Sequence, residues 1–422
     1  MRSRGNMSTD AKLRQIAIMG GLCFFLSLVE YMIPKPLPFI RLGLANLPLL
    51  LALDIFPFHY FMLLCGIKIF GQALISGTLF SYVFLFSLGG TFFSALVMYA
   101  LRRAFGKEKI SLIGVSAAGA LASNAVTLVL AYFFVFGRSI RYVVSPVLAL
   151  GLVTGSLLGI AAEYFIRNSQ WYAQILNIGY HGDTAAQRKK IFNIHPKLRA
   201  FMISGICREK LDSFRKSREE LFFKTFSASD LAIAGLFMIP ALLFNPDTYT
   251  RVIQFLFFFF FAWLAGKKNN LVITLIVMLG IVFFNLLVPY GELLYSLGPL
   301  TITSGALLGG IRRAVTLEGL FMLSRFCVRR DLSFPGAFGK IAGESFRVFG
   351  HLAEEKIFLG GKNWIESLDG LLIKLDDNQE KNNRGAEPGR GVLHKKTASR
   401  IILAALVIFV WLCFFQALLF KA

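Results

Sequence analysis

Acidic residues are scarce in this 422-residue chain, with 24 Asp and Glu set against 45 Lys and Arg. The carboxylates do not gather, and the adjacent pair Asp376-Asp377 stands alone in a polar tail. Metal-dependent diphosphate chemistry wants several clustered carboxylates around its cations, so that chemistry has no seat here. Cysteine is equally thin. The five residues Cys23, Cys65, Cys207, Cys327 and Cys413 form no CxxC pair and imply neither a disulfide framework nor a zinc site. GxxxxGK[ST] is missing, which excludes a P-loop ATPase within the chain, and so are HExxH and GxSxG. These absences predict a protein that is not an enzyme and holds no cofactor and no metal. The basic balance raises nucleic acid as a partner, but no basic stripe interleaved with aromatics lies outside the apolar runs, and no nucleic-acid binding is expected.

What the chain has in abundance is apolar surface. It is 56% hydrophobic, carries 44 Phe, and still has a formal charge of +21. A soluble protein of this composition would expose large adhesive patches, whereas a membrane protein turns them toward lipid. A crossing helix needs about 20 apolar residues. The first half offers six such runs, at residues 16–33, 42–56, 60–77, 82–101, 112–136 and 143–166, the second of them short. The run behind Arg2, Arg4, Lys12 and Arg14 is too long for a signal-peptide core and reads as a retained first span. A second block offers runs at 231–244, 252–265, 271–288 and 304–326, and a last run covers 401–420. The fold class expected is therefore all-α: a polytopic membrane bundle of about eleven helices in two modules.

Sidedness follows the cations. Arg102, Arg103, Lys107 and Lys109 follow the fourth run, Lys267 and Lys268 follow the eighth, and residues 168–228 form a strongly basic linker. Positive charge of this kind marks cytoplasmic loops. The expected organisation is a six-helix domain over 1–167, a basic cytoplasmic linker over 168–228, and a second membrane domain over 229–422. The last of these includes a cytoplasmic helical segment at about 329–400, in which 376–396 reads as disordered. The expected location is the inner (cytoplasmic) membrane, with the lipid bilayer as a partner.

Ionisable groups inside an apolar run are expensive and mark candidate sites. Lys68 sits in mid-run, and Gln72 lies one turn further on the same face. Arg41 and Asn46 flank the second run, and Asn124 lies near the middle of the fifth. With Lys35, Arg138 and Arg141 in the loops, cations outnumber the nearby Glu30. Lys68, Gln72, Arg41, Asn46 and Asn124 could line a pocket for an anionic ligand. Lys68 reads equally well as a strut paired with Glu30. Arg312 and Arg313 are adjacent and cannot point one way on a helix; Glu318 stands at partner spacing, and an early helix end is the other reading. Gly151, Gly155 and Gly159 form a doubled small-xxx-small row, read as packing within the bundle or as a docking face.

The run Ile33-Pro34-Lys35-Pro36, the segment Arg41-Leu42-Gly43-Leu44-Ala45-Asn46, then Lys68 and Ser76-Gly77-Thr78-Leu79-Phe80-Ser81, resemble the family named heptaprenyl diphosphate synthase component I. That family is also called the Gx transporter family, and it resembles the substrate-binding S-components of energy-coupling-factor (ECF) transporters. The resemblance covers about residues 12–166. The second half is similar to the transmembrane T-component of those transporters, through Leu297-Gly298-Pro299-Leu300-Thr301-Ile302-Thr303 leading into Gly310-Ile311-Arg312-Arg313-Ala314. The resemblance implies a fused importer subunit that binds a small anionic or isoprenoid-related solute and couples to separate ECF-type ATPase subunits. The alternative it implies is a non-catalytic accessory subunit of heptaprenyl diphosphate synthesis. In the T-component family, short Ala-Arg motifs dock the ATPases. This chain departs there, offering Ser324-Arg325 and Phe346-Arg347, so Arg312, Arg313, Arg325 and Arg347 are its candidate coupling residues.

Overall fold

A computed structural model describes residues 9–32, 43–176, 218–222, 224–267, 269–297, 300–329, 332, 336–354, 368–370, 372–375 and 396–419. Arg41, most of the basic linker and the 376–395 stretch lie outside the described residues.

The described part is helical almost throughout, as backbone in an apolar solvent must be, because only a helix or a closed barrel satisfies every N–H and C=O from within. The first half comprises α1 (Thr9–Met32), the short α2 (Leu47–Ala52), α3 (Phe58–Ser76), α4 (Tyr82–Lys109), α5 (Leu112–Ala131), α6 (Arg141–Asn168) and α7 (Gln170–Ile175). The second half comprises α8 (Ala228–Leu243), α9 (Thr248–Leu264), α10 (Leu271–Leu286), strands β1 (Leu293–Leu297) and β2 (Leu300–Thr303), α11 (Ser304–Cys327), α12 (Gly336–Glu354) and α13 (Lys396–Leu419). Side chains set several boundaries. Ser111, Ser169, Asp247 and Asn270 accept the first free N–H groups of α5, α7, α9 and α10. Gly77, at φ +64°, closes α3 by donating back to Ala73 and Leu74.

Five described helical stretches are long and apolar enough to cross a membrane: Thr9–Glu30, Phe58–Ser76, Tyr82–Gly106, Leu112–Asn168 and Thr397–Leu419. The chain is thus a helical membrane protein. Leu112–Asn168 folds back on itself through a π-helical turn at Tyr132–Phe136 and a 3-10 turn at Gly137–Ile140. The count of eleven spans is larger than these stretches provide. The expected second span is only six helical residues, completely buried, while α8, α9 and α10 are apolar but of 16, 17 and 16 residues. α11 is long enough, with 24 residues, but carries Arg312, Arg313, Glu318 and Arg325. The segment leading into α11 is an antiparallel hairpin, pairing Tyr295 with Ile302 and Ser296 with Thr301.

Packing sorts the helices into two cores and a seam. One core gathers α1 to α7 and also takes Ile341, Val348 and Leu352 of α12. The other gathers α8, α9, α11 and α13. The seam joins Leu128, Ala131, Val135 and Phe136 to Ile281 and Ala314. Within the first group the α6 glycines face α5 one after another. A Cβ at Gly151 would overlap Asn124, at Gly155 Ala120, and at Gly159 the backbone of Ile113. The small-residue row is therefore a close antiparallel helix contact, the packing use of such rows.

Candidate functional site

Lys68 is only 4% exposed and occupies the middle of α3. Its ammonium donates to Asn46 Oδ1 and, at 3.3 Å, to Thr91 Oγ1 on α4. Three elements therefore position it. The turn Leu44–Asn46 supplies Asn46, held close by Gly43 at φ +80°, a conformation that disfavours any side chain. α4 supplies Thr91, itself buried. α1 closes the far side, where Gly71 accepts the Phe24 ring so tightly that no Cβ would fit. A buried ammonium held by oxygens from two other elements is positioned by its surroundings rather than by its own flexible stem.

The structure brings Lys68 and Asn46 together, and places Gln72 half-buried one turn along the same helix. Asn124 is engaged elsewhere. Its amide donates to the Val147 carbonyl at 3.0 Å, inside the α5–α6 contact. Arg138 and Arg141 are exposed at the α5–α6 turn, and Arg141 lies 4.8 Å from the Tyr142 ring centre. Arg41 lies outside the described residues.

The four candidate coupling arginines do four different things. Arg313 donates to Asn285 Oδ1 at 2.6 Å and packs on Gly137, whose φ of +55° and lack of a side chain make room for the guanidinium. Arg312 points to the other side and reaches the Asn245 carbonyl at 3.5 Å. Arg325 sits 5.4 Å from the Phe321 ring centre, beside Gly77 of the first group, and is the charged neighbour felt by buried Glu318. Arg347 is exposed on α12, away from the face that Ser345 and Val348 press onto Gly20 and Gly21 of α1.

A second polar constellation escaped sequence reading. Asn245 and Gln254 are fully buried, Arg251 and Thr316 nearly so. Asn245 donates to Gln254 Oε1 at 3.0 Å, Gln254 donates to the Val410 carbonyl at 3.1 Å, and Arg251 donates to Thr316 Oγ1 and to the Leu243 carbonyl at 2.9 Å. The network ties α9 to α8, α11 and α13, and its members satisfy one another. A signal existed: Arg251, Gln254, Phe255, Phe258 and Ala262 recur at helical spacing, so the two polar residues share the buried face of a Phe-rich helix.

Comparison with known families divides the chain as the packing does. Residues 19–165 match the family model described as heptaprenyl diphosphate synthase component I. Residues 231–330 match a domain of unknown function, DUF8519. No curated protein and no solved structure matches the chain.

Proposed function

We propose that this chain is a non-catalytic membrane subunit of an ECF-type importer of the cytoplasmic membrane. A solute-binding module at 1–167 takes a small anionic solute at Lys68, and the module at 229–422 couples it to separate ATPase subunits. One observation carries the reading: the first group lies across α11 and not alongside it. The α3–α4 and α5–α6 turns belong to the same end of the first group, since the tilted rings of Tyr82 and Phe134 pack with their centres 4.7 Å apart. Yet the α5–α6 turn meets α11 at Arg313 and Ala314, while the α3–α4 turn meets it at Ser324 and Arg325. Eleven residues of helix, from 313 to 324, span about 16 Å. A module whose end runs along a neighbouring helix in this way is tipped relative to that helix. Tipping is how one binding site can face either side of a bilayer in turn.

The helix that follows α11 supports the same reading. α12 begins beyond the end of α11 near Arg325 and Arg329, which the cation distribution assigns to the cytoplasm. It nevertheless packs on the middle of α1, with the Phe24 and Phe346 ring centres 4.8 Å apart. Its outer face, with exposed Arg347, is then free to meet a cytoplasmic motor.

The experiment is affinity purification of the full chain from its native membranes under mild detergent. The expected result is co-recovery of nucleotide-binding subunits, with ATP-dependent uptake lost on deletion. The description of the family model favours one other reading, since "component I" names one part of an assembly. An accessory role in heptaprenyl diphosphate synthesis would instead recover a soluble prenyl synthase subunit, and deletion would abolish prenyl synthesis with uptake intact.

A further inference from the structure

The end of the second group where α8, α10 and α13 finish and α9 and α11 begin forms a half-open cavity of about 490 Å³. Pro246, Asp247, Thr248, Tyr290, Leu308 and Arg312 line it. One guanidinium, that of Arg312, lines it, and a second, that of Arg251, meets the same carbonyl behind the lining. Arg251 donates to the Asn245 carbonyl through Nε at 2.7 Å and again through Nη2, and Arg312 Nη2 reaches the same oxygen at 3.5 Å. A guanidinium has five N–H donors. Those of Arg251 are directed at Asn245, Leu243 and Thr316. Arg312 makes a single long bond and forms no ion pair with a carboxylate among the described residues, so most of its fork is left toward the cavity it lines.

The acid on the rim is engaged with backbone: Asp247 Oδ2 accepts the Thr250 N–H at 2.8 Å as the cap of α9, beside the positive end of that helix. The wall opposite is built closely. Gly305 and Gly309 let the Tyr290 ring lie flat on the first turns of α11, where a Cβ at either position would overlap it. Thr248 and Tyr290 add hydroxyls to the lining. Exposed apolar residues stand beside it: Leu308 of the lining is 52% exposed, and Phe244 and Tyr249, within two residues of Pro246 and Thr248 in the chain, are 73% and 78% exposed.

A cationic fork with hydroxyls inside and exposed apolar residues at the rim is complementary to a phosphate that carries a hydrophobic chain. We propose that this cavity binds the phosphate headgroup of an amphiphile, with Arg312 as the fork and the apolar chain leaving past Leu308. Lys267, Arg329 and Arg400 mark the opposite end of the bundle, so the amphiphile comes from the outer leaflet. A free phosphate shares the headgroup chemistry, and the test separates the two sources.

Full-length protein in neutral detergent is titrated with dioleoyl phosphatidic acid, with dioleoylglycerol, and with inorganic phosphate. Adducts are read by native mass spectrometry and the unfolding midpoint is followed in parallel. Phosphatidic acid should bind and stabilise, and dioleoylglycerol should not. Arg312→Gln should weaken phosphatidic acid binding about tenfold, and Arg312→Lys less, since a point charge replaces the fork. Arg313→Gln, whose side chain is tied to Asn285, should bind as the parent does. Leu308→Trp fills the exposed mouth without touching charge, so it should block the lipid even if Arg312→Gln fails to fold. Stabilisation by inorganic phosphate with indifference to the lipid overturns the amphiphile. Equal phosphatidic acid binding by the parent, Arg312→Gln and Leu308→Trp overturns the site.

Discussion

Two single residues carry the most chemistry for their size. Lys68 donates to Asn46 and Thr91, and two substitutions separate a structural role from the proposed binding role. Thr91→Val removes one long hydrogen bond from the ammonium and should cost about 1–2 kcal/mol of stability while leaving solute binding nearly intact. Lys68→Met removes the positioned charge, and solute binding to purified protein should fall at least about tenfold, a loss near 1.4 kcal/mol. If Lys68→Met binds solute like the parent and only melts earlier, the lysine is a strut. Asp247 offers a pH test. Partial burial raises its pKa, but the N–H groups of Thr250, Tyr249 and Thr248 and the Thr250 hydroxyl outweigh that and hold it below the ordinary carboxylate range. A depressed folded value means stability is present above the unfolded pKa and fades as pH falls through the folded one. Asp247→Ala should therefore lose about 1 kcal/mol of capping at neutral pH. The difference from the parent should begin to shrink below about pH 4, where the unfolded carboxylate takes up its proton, and be lost at still lower pH, as the parent's own cap is protonated. A midpoint difference that stays constant down to pH 3 would argue against the cap.

Elements were legible where one signal dominated. Long apolar runs placed α3, α5 and α6 within a few residues and the start of α4, which runs on to Lys109 past the expected end at 101, because length and hydropathy decide that a segment is a lipid-compatible helix. The run at 42–56 misled by the same logic. Its leucines, Leu49, Leu50 and Leu51 among them, are apolar because they sit in the core between helices, and a six-residue helix crosses nothing. The hairpin at Leu293–Thr303 was unreadable for another reason. Leu293, Leu294 and Tyr295 are consecutive and exposed, so the alternation that announces a half-buried strand is absent. The glycine row of α6 was readable in spacing but not in partner, since period says which residues share a face and not what faces them. Now that Gly155 is seen against Ala117 and Ala120 of α5, the consequence of filling it is specific. Gly155→Leu forces the two helices apart and should destabilise by about 1–3 kcal/mol. Gly280, which has no neighbour where its Cβ would go, is the control, and Gly280→Leu should be close to neutral by thermal unfolding in detergent.

At the scale of the whole molecule the decisive feature is a relation between parts, which no window of sequence contains. Spacing announced two blocks of helices; only the contacts show the first block's α3–α4 turn set against the far end of α11. There the Phe80 N–H donates to Ser324 Oγ at 3.0 Å, and Gly235 of α8 fits between Phe80 and Cys327. None of these residues is charged or periodic in a way that predicts the meeting. On the first block's side the contact is aromatic, with Phe80, Tyr82 and Phe134 set among the residues of the second core. The importer reading requires that it open, because a tipped solute module must right itself to load from outside. Cysteines at Phe80 and Ser324, in a background lacking the native thiols, test this by joining the turn to α11 with a short bifunctional reagent. The joined protein should retain its fold and its ATPase partners but lose uptake, and cleaving the linker should restore it. Uptake that proceeds at the parent rate with the joint closed would mean that the two groups move as one body, and the module would then have to exchange its solute by some route other than tipping.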